Sequence, residues 1–143
     1  MNRKNVGYLG LLLLCTAATS LLQAASEEDA ARDFFAGQRM LVTYHEGGSL
    51  YGTRFFLQVH FCRSGNYMTM GRSIRHTVLD TEQVNNFNDQ GRWAVTTISG
   101  QLVLGYMSVS GQSNAVPIRL LPNGGVEAGN GVSLIPQGVA QCR

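Results

Sequence analysis

Two cysteines, a histidine beside one of them and a loose acidic cluster are the residues of this chain whose types could do chemistry. Cys62 and Cys142 stand 80 residues apart (62 to 142), and a third cysteine, Cys15, sits in an apolar run near the N-terminus. In an exported chain the pair Cys62–Cys142 is expected to be a disulfide. Closing that loop contributes about 4–5 kcal/mol in the chain-entropy account. The competing chemistry is a metal site on His60-Phe61-Cys62, where a nitrogen and a sulfur ligand share one strand face. No second close Cys/His pair completes such a site, so neither a metal nor another cofactor is expected. His45, His60 and His76 are scattered, and Asp80 and Glu82 follow His76 closely. A hydrolytic site needs a nucleophile, a base and an orienting acid, and no Gly-x-Ser-x-Gly, His-Glu-x-x-His or phosphate-loop pattern occurs. The chain reads as non-enzymatic.

The N-terminus has the form of a secretory signal. Arg3 and Lys4 precede an apolar stretch from Val6 to Leu22, and small residues follow at Gln23-Ala24-Ala25-Ser26. Cleavage after Ala24 or Ala25 leaves 119 or 118 of the 143 residues, and a periplasmic or secreted protein is expected. An uncleaved anchor is the competing reading, but Thr16, Thr19 and Ser20 interrupt the stretch. Lipidation at Cys15 would follow Leu14, which is large for that position. No stable membrane insertion is expected once residues 1–25 are removed. Without Arg3 and Lys4, 9 of the 11 basic residues remain against 9 acidic ones. That balance speaks against a nucleic-acid partner, which calls for a basic excess. Lys4 is the chain's one lysine, so the exported form cannot do Schiff-base chemistry through lysine.

The element that positions Cys62 and His60 is a β-hairpin over Arg54–Arg75. Phe55, Leu57, Val59 and Phe61 alternate with Phe56, Gln58, His60 and Cys62, the period of a strand. The first set is expected to face the core, and the other face of the hairpin, with Gln58, His60, Tyr67 and Thr69, is expected either to be exposed or to line a polar cavity. The return strand alternates too, with Met68, Met70 and Ile74 on one face and Tyr67, Thr69, Gly71 and Ser73 on the other. A two-residue turn on Ser64-Gly65 or Gly65-Asn66 is expected, Gly65-Asn66 suiting a type II′ turn better. Either turn sets Phe61 opposite Met68 or Met70 and gathers the methionines onto the core face.

Around this hairpin the chain reads as one domain, with 44% hydrophobic residues and 17 glycines lying mostly between candidate strands. Residues 26–36 read as a helix, with Ser26 as N-cap, Ala30, Ala31, Phe34 and Phe35 as its apolar stripe, and Gly37 as its end. Strands are expected at Arg39–His45, Arg92–Ser99, Gln101–Val109, Ala115–Leu121, Val126–Ala128 and Val132–Ile135, with Val78-Leu79 extending the central hairpin or starting another short strand. Thr81–Gly91, polar and rich in Asn, is expected to be a loop. The fold class is therefore mainly β: an antiparallel up-and-down meander of seven or eight strands, closing into a small barrel that removes its own edges, behind one short helix.

The order Val59-His60-Phe61-Cys62 with Gly65 and Tyr67, then Gly91-Arg92-Trp93-Ala94-Val95, then Gln101-Leu102-Val103-Leu104 and a Gly-rich end resembles small secreted bacterial proteins with a lipocalin-like, calycin-type barrel. The resemblance spans roughly 39–134 and rests on turn glycines and core aromatics. Gly-x-Trp comes mid-chain here, whereas lipocalins proper carry it near the first strand. The resemblance implies a barrel, with an interior either filled or open. A small hydrophobic or amphipathic ligand and a protein target bound through loops, such as an envelope or host hydrolase, are the two partners considered. Phe61, Tyr67, Trp93, Tyr106 and His60 are the candidate ligand-binding residues, Trp93 doubling as a core residue by its alternation with Val95.

Overall fold

A computed structural model describes residues 23, 25–48, 52–77 and 81–142. The expected signal segment, apart from the helical Gln23 and Ala25, and the Val78-Leu79 extension lie outside the described residues. Helix α1 (residues 25–35) leads into eight strands: β1 (Gln38–Glu46), β2 (Thr53–Phe61), β3 (Asn66–His76), β4 (Glu82–Ile98), β5 (Gln101–Ser108), β6 (Ser113–Leu120), β7 (Val126–Ala128) and β8 (Ser133–Val139). They pair antiparallel in the order β7-β6-β5-β4-β3-β2-β1-β8. Pairing of β8 with β1 curls the sheet into a nearly closed barrel whose seam lies between β7 and β8.

Alternation decides what the barrel encloses. Met40, Val59, Phe61, Val95, Leu104, Ile118 and Leu134 are buried inside it, as the period-two pattern requires. The central hairpin corrects the expected register. Phe61 pairs with Tyr67, Val59 with Thr69 and Leu57 with Gly71. Tyr67, Thr69 and Ser73 are therefore buried, whereas Met70 is 58% exposed. The cause is one extra residue in the connection. Gly65 N–H donates to the Cys62 carbonyl, Cys62 N–H donates to the Asn66 carbonyl, and Gly65 takes a φ of 84°. That is a three-residue loop, a type I turn closed by a left-handed glycine, and not a two-residue II′ turn. One added residue exchanges the two faces of the return strand. The same bonding recurs at Ser108–Gln112 and at Leu121–Gly125, with Gly111 and Gly124 in the left-handed position.

Thr81–Gly91 is the second correction. From Glu82 it forms the first half of β4, paired along its length with β3. Phe87, Asp89, Gly91, Trp93 and Val95 keep one continuous alternation, and Asn88, Gln90, Arg92 and Ala94 between them are exposed. Because β5 pairs only with Gly91–Ile98, the wall made by β1–β4 stands taller than the wall made by β5–β8.

Helix α1 closes the other end. Ala31 and Phe35 are fully buried, Phe34 is partly so, and Ala30, expected on the same stripe, is exposed. The Phe35 ring meets Phe61 edge-on at 5.3 Å and Trp93 at 6.5 Å. Ser26 lies within the helix and so is not its N-cap. Glu28 instead accepts the Thr97 N–H at 3.0 Å, joining the helix to β4. Gly37 ends the helix with a φ of 82°, donates its N–H to the Phe61 carbonyl and accepts the Ala140 N–H. Cys62 and Cys142 are disulfide-bonded across the same end.

Two measurements check this arrangement. Phe61→Ala should cost about 3–5 kcal/mol in denaturant unfolding, while Met70→Ala should stay within about 0.5 kcal/mol, reversing what a two-residue turn would require of Met70. Thiol titration of the unreduced protein should find Cys62 and Cys142 unreactive, and reduction should lower stability by about 4 kcal/mol.

Candidate functional site

Above the aromatic floor the barrel is not filled. A cavity of about 860 Å³ opens at the end opposite α1. Leu57, Val59, Phe61, Leu104 and Leu134 give it an apolar wall, with Val42, Tyr44, Phe87, Val116 and Val132 beside them, Val42 standing directly between Leu57 and Leu134 in the sheet. Aromatic side chains bound the cavity at both ends, Phe35, Phe61 and Trp93 under it and Tyr44, Phe55 and Phe87 away from the helix, with Phe87 lying over Gly71. β3 contributes Thr69, Gly71 and Ser73 to the interior where a filled barrel would carry branched residues. It opens because β7 is only three residues long and the β5–β6 connection stops low. A shallower hollow of about 850 Å³ crosses the outer face between Ser64-Gly65 and Ser113–Ala115, and no comparable polar network converges there.

One polar network stands in the cavity wall. Asp89 Oδ2 accepts the Tyr67 hydroxyl at 2.6 Å, and Asp89 Oδ1 accepts the Ser108 hydroxyl at 2.5 Å. Ser108 Oγ in turn accepts the Ser110 N–H at 3.1 Å. A side chain at position 91 would strike the Met107 backbone, so glycine there lets β5 come close enough for Ser108 to reach Asp89. Burial pushes the Asp89 carboxyl up, but the bonds from Ser108, Tyr67 and the Gln90 N–H outweigh it and hold the group below its ordinary value. Burial, reinforced by Asp89, raises the Tyr67 phenol. Tyr44, stacked on Phe55 at 4.5 Å, is pushed up to about 12 by burial and then by Tyr106 and Glu46. At neutral pH Asp89 is therefore an anion beside neutral phenols. Its cross-strand neighbour Thr69 is 6% exposed, and the Thr69 hydroxyl has no hydrogen-bond partner.

Of the five candidates named from the sequence, Phe61, Tyr67 and Tyr106 line the cavity. Trp93 lies under the helix with its indole N–H on the Cys62 carbonyl at 3.0 Å, part of the floor's support. His60 faces outward beneath the C-terminal segment, its Nδ1 accepting the Gln141 N–H at 2.8 Å. With Cys62 in the disulfide and His60 Nδ1 engaged, the His60/Cys62 metal reading loses its thiolate and one of the two imidazole nitrogens. Among the described residues no group of three His, Cys, Asp or Glu side chains comes together. Asp89 was missed by sequence reasoning, whereas Thr69, like Tyr67, was read as either exposed or lining a polar cavity and does line one. The signal for Asp89 was there in Phe87-x-Asp89-x-Gly91-x-Trp93, a period of two hidden by asparagines, and the turn length is what sends Thr69 inward.

Among known proteins, no family model, curated protein or solved structure matches the chain.

His60 yields a pH prediction. Burial and then the nearby Arg39 lower its pKa in the folded protein, so the neutral ring that accepts Gln141 is favoured. Its contribution is fully present above the ordinary histidine value of about 6.5 and is lost as pH falls through the lower folded value. Thermal unfolding between about pH 7 and pH 5 should show a steeper decline for the wild type than for His60→Asn, in which an amide oxygen replaces the ring nitrogen.

Proposed function

We propose that the chain is an exported, non-enzymatic, lipocalin-like binding barrel that carries a small apolar or amphipathic ligand. The cavity is the observation that carries this reading. Its volume of about 860 Å³ falls within the size of small-molecule sites, and its lining joins an apolar and aromatic wall to a substantial polar part that includes Glu46, Asp89, Gln112, Asn114 and Asn130, as an amphipathic ligand would need. A barrel of eight strands is just wide enough either to be filled or to hold one such molecule. The disulfide is consistent with an oxidising compartment, and the signal-like segment at 1–25 supports export.

The other reading, an inhibitor of an envelope or host hydrolase acting through loops, relied on Thr81–Gly91 as a protruding loop. Since residues 82–91 are a paired strand, that surface has lost its main support and the cavity reading is favoured.

Nile red, a neutral apolar dye, tests the proposal. Saturable fluorescence enhancement at micromolar dye is expected with the wild type, and a strong reduction with Leu57→Trp, which fills part of the cavity. Absence of saturable binding, or equal binding by a folded Leu57→Trp protein, would remove the carrier reading.

A further inference from the structure

The polar groups of the cavity say more about the ligand than its volume does. Among the described residues that line it, Asp89 and Glu46 carry the formal charges, with His45 adding a positive one only when protonated. No described arginine lines the cavity, and the chain after residue 25 has no lysine. No described cation lies within ion-pair distance of Asp89. The charge is held in place by two hydroxyls, Tyr67 and Ser108, which leave it negative. A carboxylate beside an apolar cavity, without a counter-ion, creates a field that repels anions and favours one cation.

Thr69 narrows the choice. It stands directly opposite Asp89 on β3, faces the same interior and is buried with its hydroxyl unpartnered. A buried hydroxyl without a partner costs free energy, which a ligand group can recover. Asp89 offers a carboxylate to the cavity, and Thr69 Oγ1, sealed in the wall opposite it, becomes a second acceptor when the threonine turns about χ1 toward a ligand. A protonated amino group brings several N–H donors and no acceptor, and so suits both. Tyr67, Tyr106 and Phe87 add aromatic rings to the same cavity, and such faces attract a cation. The apolar wall of Leu57, Val59, Leu104 and Leu134 requires an apolar body.

We infer that the cavity selects a protonated amine with an apolar tail, its ammonium group held by Asp89 and Thr69. This rests on the binding-barrel reading and sharpens it, since a fatty-acid carboxylate becomes the disfavoured ligand.

Calorimetric titration of the oxidised protein with decylammonium, 1-decanol and decanoate at neutral pH, all below micelle formation, tests it. Decylammonium should bind roughly tenfold or more tighter than decanol, as one charge-assisted hydrogen bond would give, and decanoate weakest of all. Asp89→Asn should bring decylammonium down to the affinity of decanol while decanol binding persists. Thr69→Val, nearly isosteric and free of the unpartnered hydroxyl, provides a variant that should fold even where Asp89→Asn does not. It should unfold at a higher temperature without ligand and yet bind decylammonium more weakly. Decanoate binding as tightly as decylammonium, or an unchanged ammonium preference in a folded variant of each kind, overturns the inference and leaves the barrel reading standing. Failure of all three probes to bind overturns both.

Discussion

Phe35, driven out of water between Phe61 and Trp93, is the contact on which the rest of the structure depends. A barrel this small has to exclude water from at least one end, and α1 does so with a fully buried aromatic ring. Everything near that end reinforces the plug. The Trp93 indole bonds the Cys62 carbonyl, Gly37 is hydrogen-bonded to both Phe61 and Ala140, and the disulfide ties the C-terminal segment to the hairpin tip. These contacts join residues far apart in sequence, so the helix, the central hairpin and the last strand stabilise one another.

The end away from the helix keeps Tyr44, Phe55 and Phe87 in its wall and yet is not filled. The interior positions of β3 above Tyr67 are a threonine, a glycine and a serine, and no large side chain from the short β7 crosses to meet them. The tall wall of β1–β4 and the low wall of β5–β8 then make a cup open at one rim. Into that cup the β3–β4–β5 sheet directs one carboxylate, steadied by two hydroxyls and faced by a third that has no partner. Asymmetry in strand length thus produces both the opening and the polarity of the site.

Much of this was legible in the residues. The period-two alternation of Phe55–Phe61 and of Trp93–Thr97 marks strands whose apolar side must be covered, and the even cysteine pair predicted the bridge between Cys62 and Cys142. The amphipathic 26–36 segment predicted a helix that covers an apolar surface. These features are local or pairwise, and local alternation and residue type are enough to specify them. The candidate site was legible in part: Phe61, Tyr67 and Tyr106 line the cavity, whereas His60 and Trp93 serve the closed end.

What only the tertiary structure decided was which face of β3 is inside, whether 81–91 is a strand, and where the interior is left empty. The first turned on one residue of turn length, since a two-residue and a three-residue loop at Ser64-Gly65-Asn66 are both compatible with the glycine, yet they send opposite faces inward. The second turned on a partner: a polar, asparagine-rich segment has little strand preference of its own and becomes one by pairing with β3. The third depends on the sum of all inward side chains at each level of the barrel. Sequence alone determined most of the elements and the buried sides of β2 and of β4 from Trp93 onward, because alternation is local; the register between elements, which no single element contains, determined the inward face of β3 and that Asp89 and Thr69 stand opposite each other in the cavity wall.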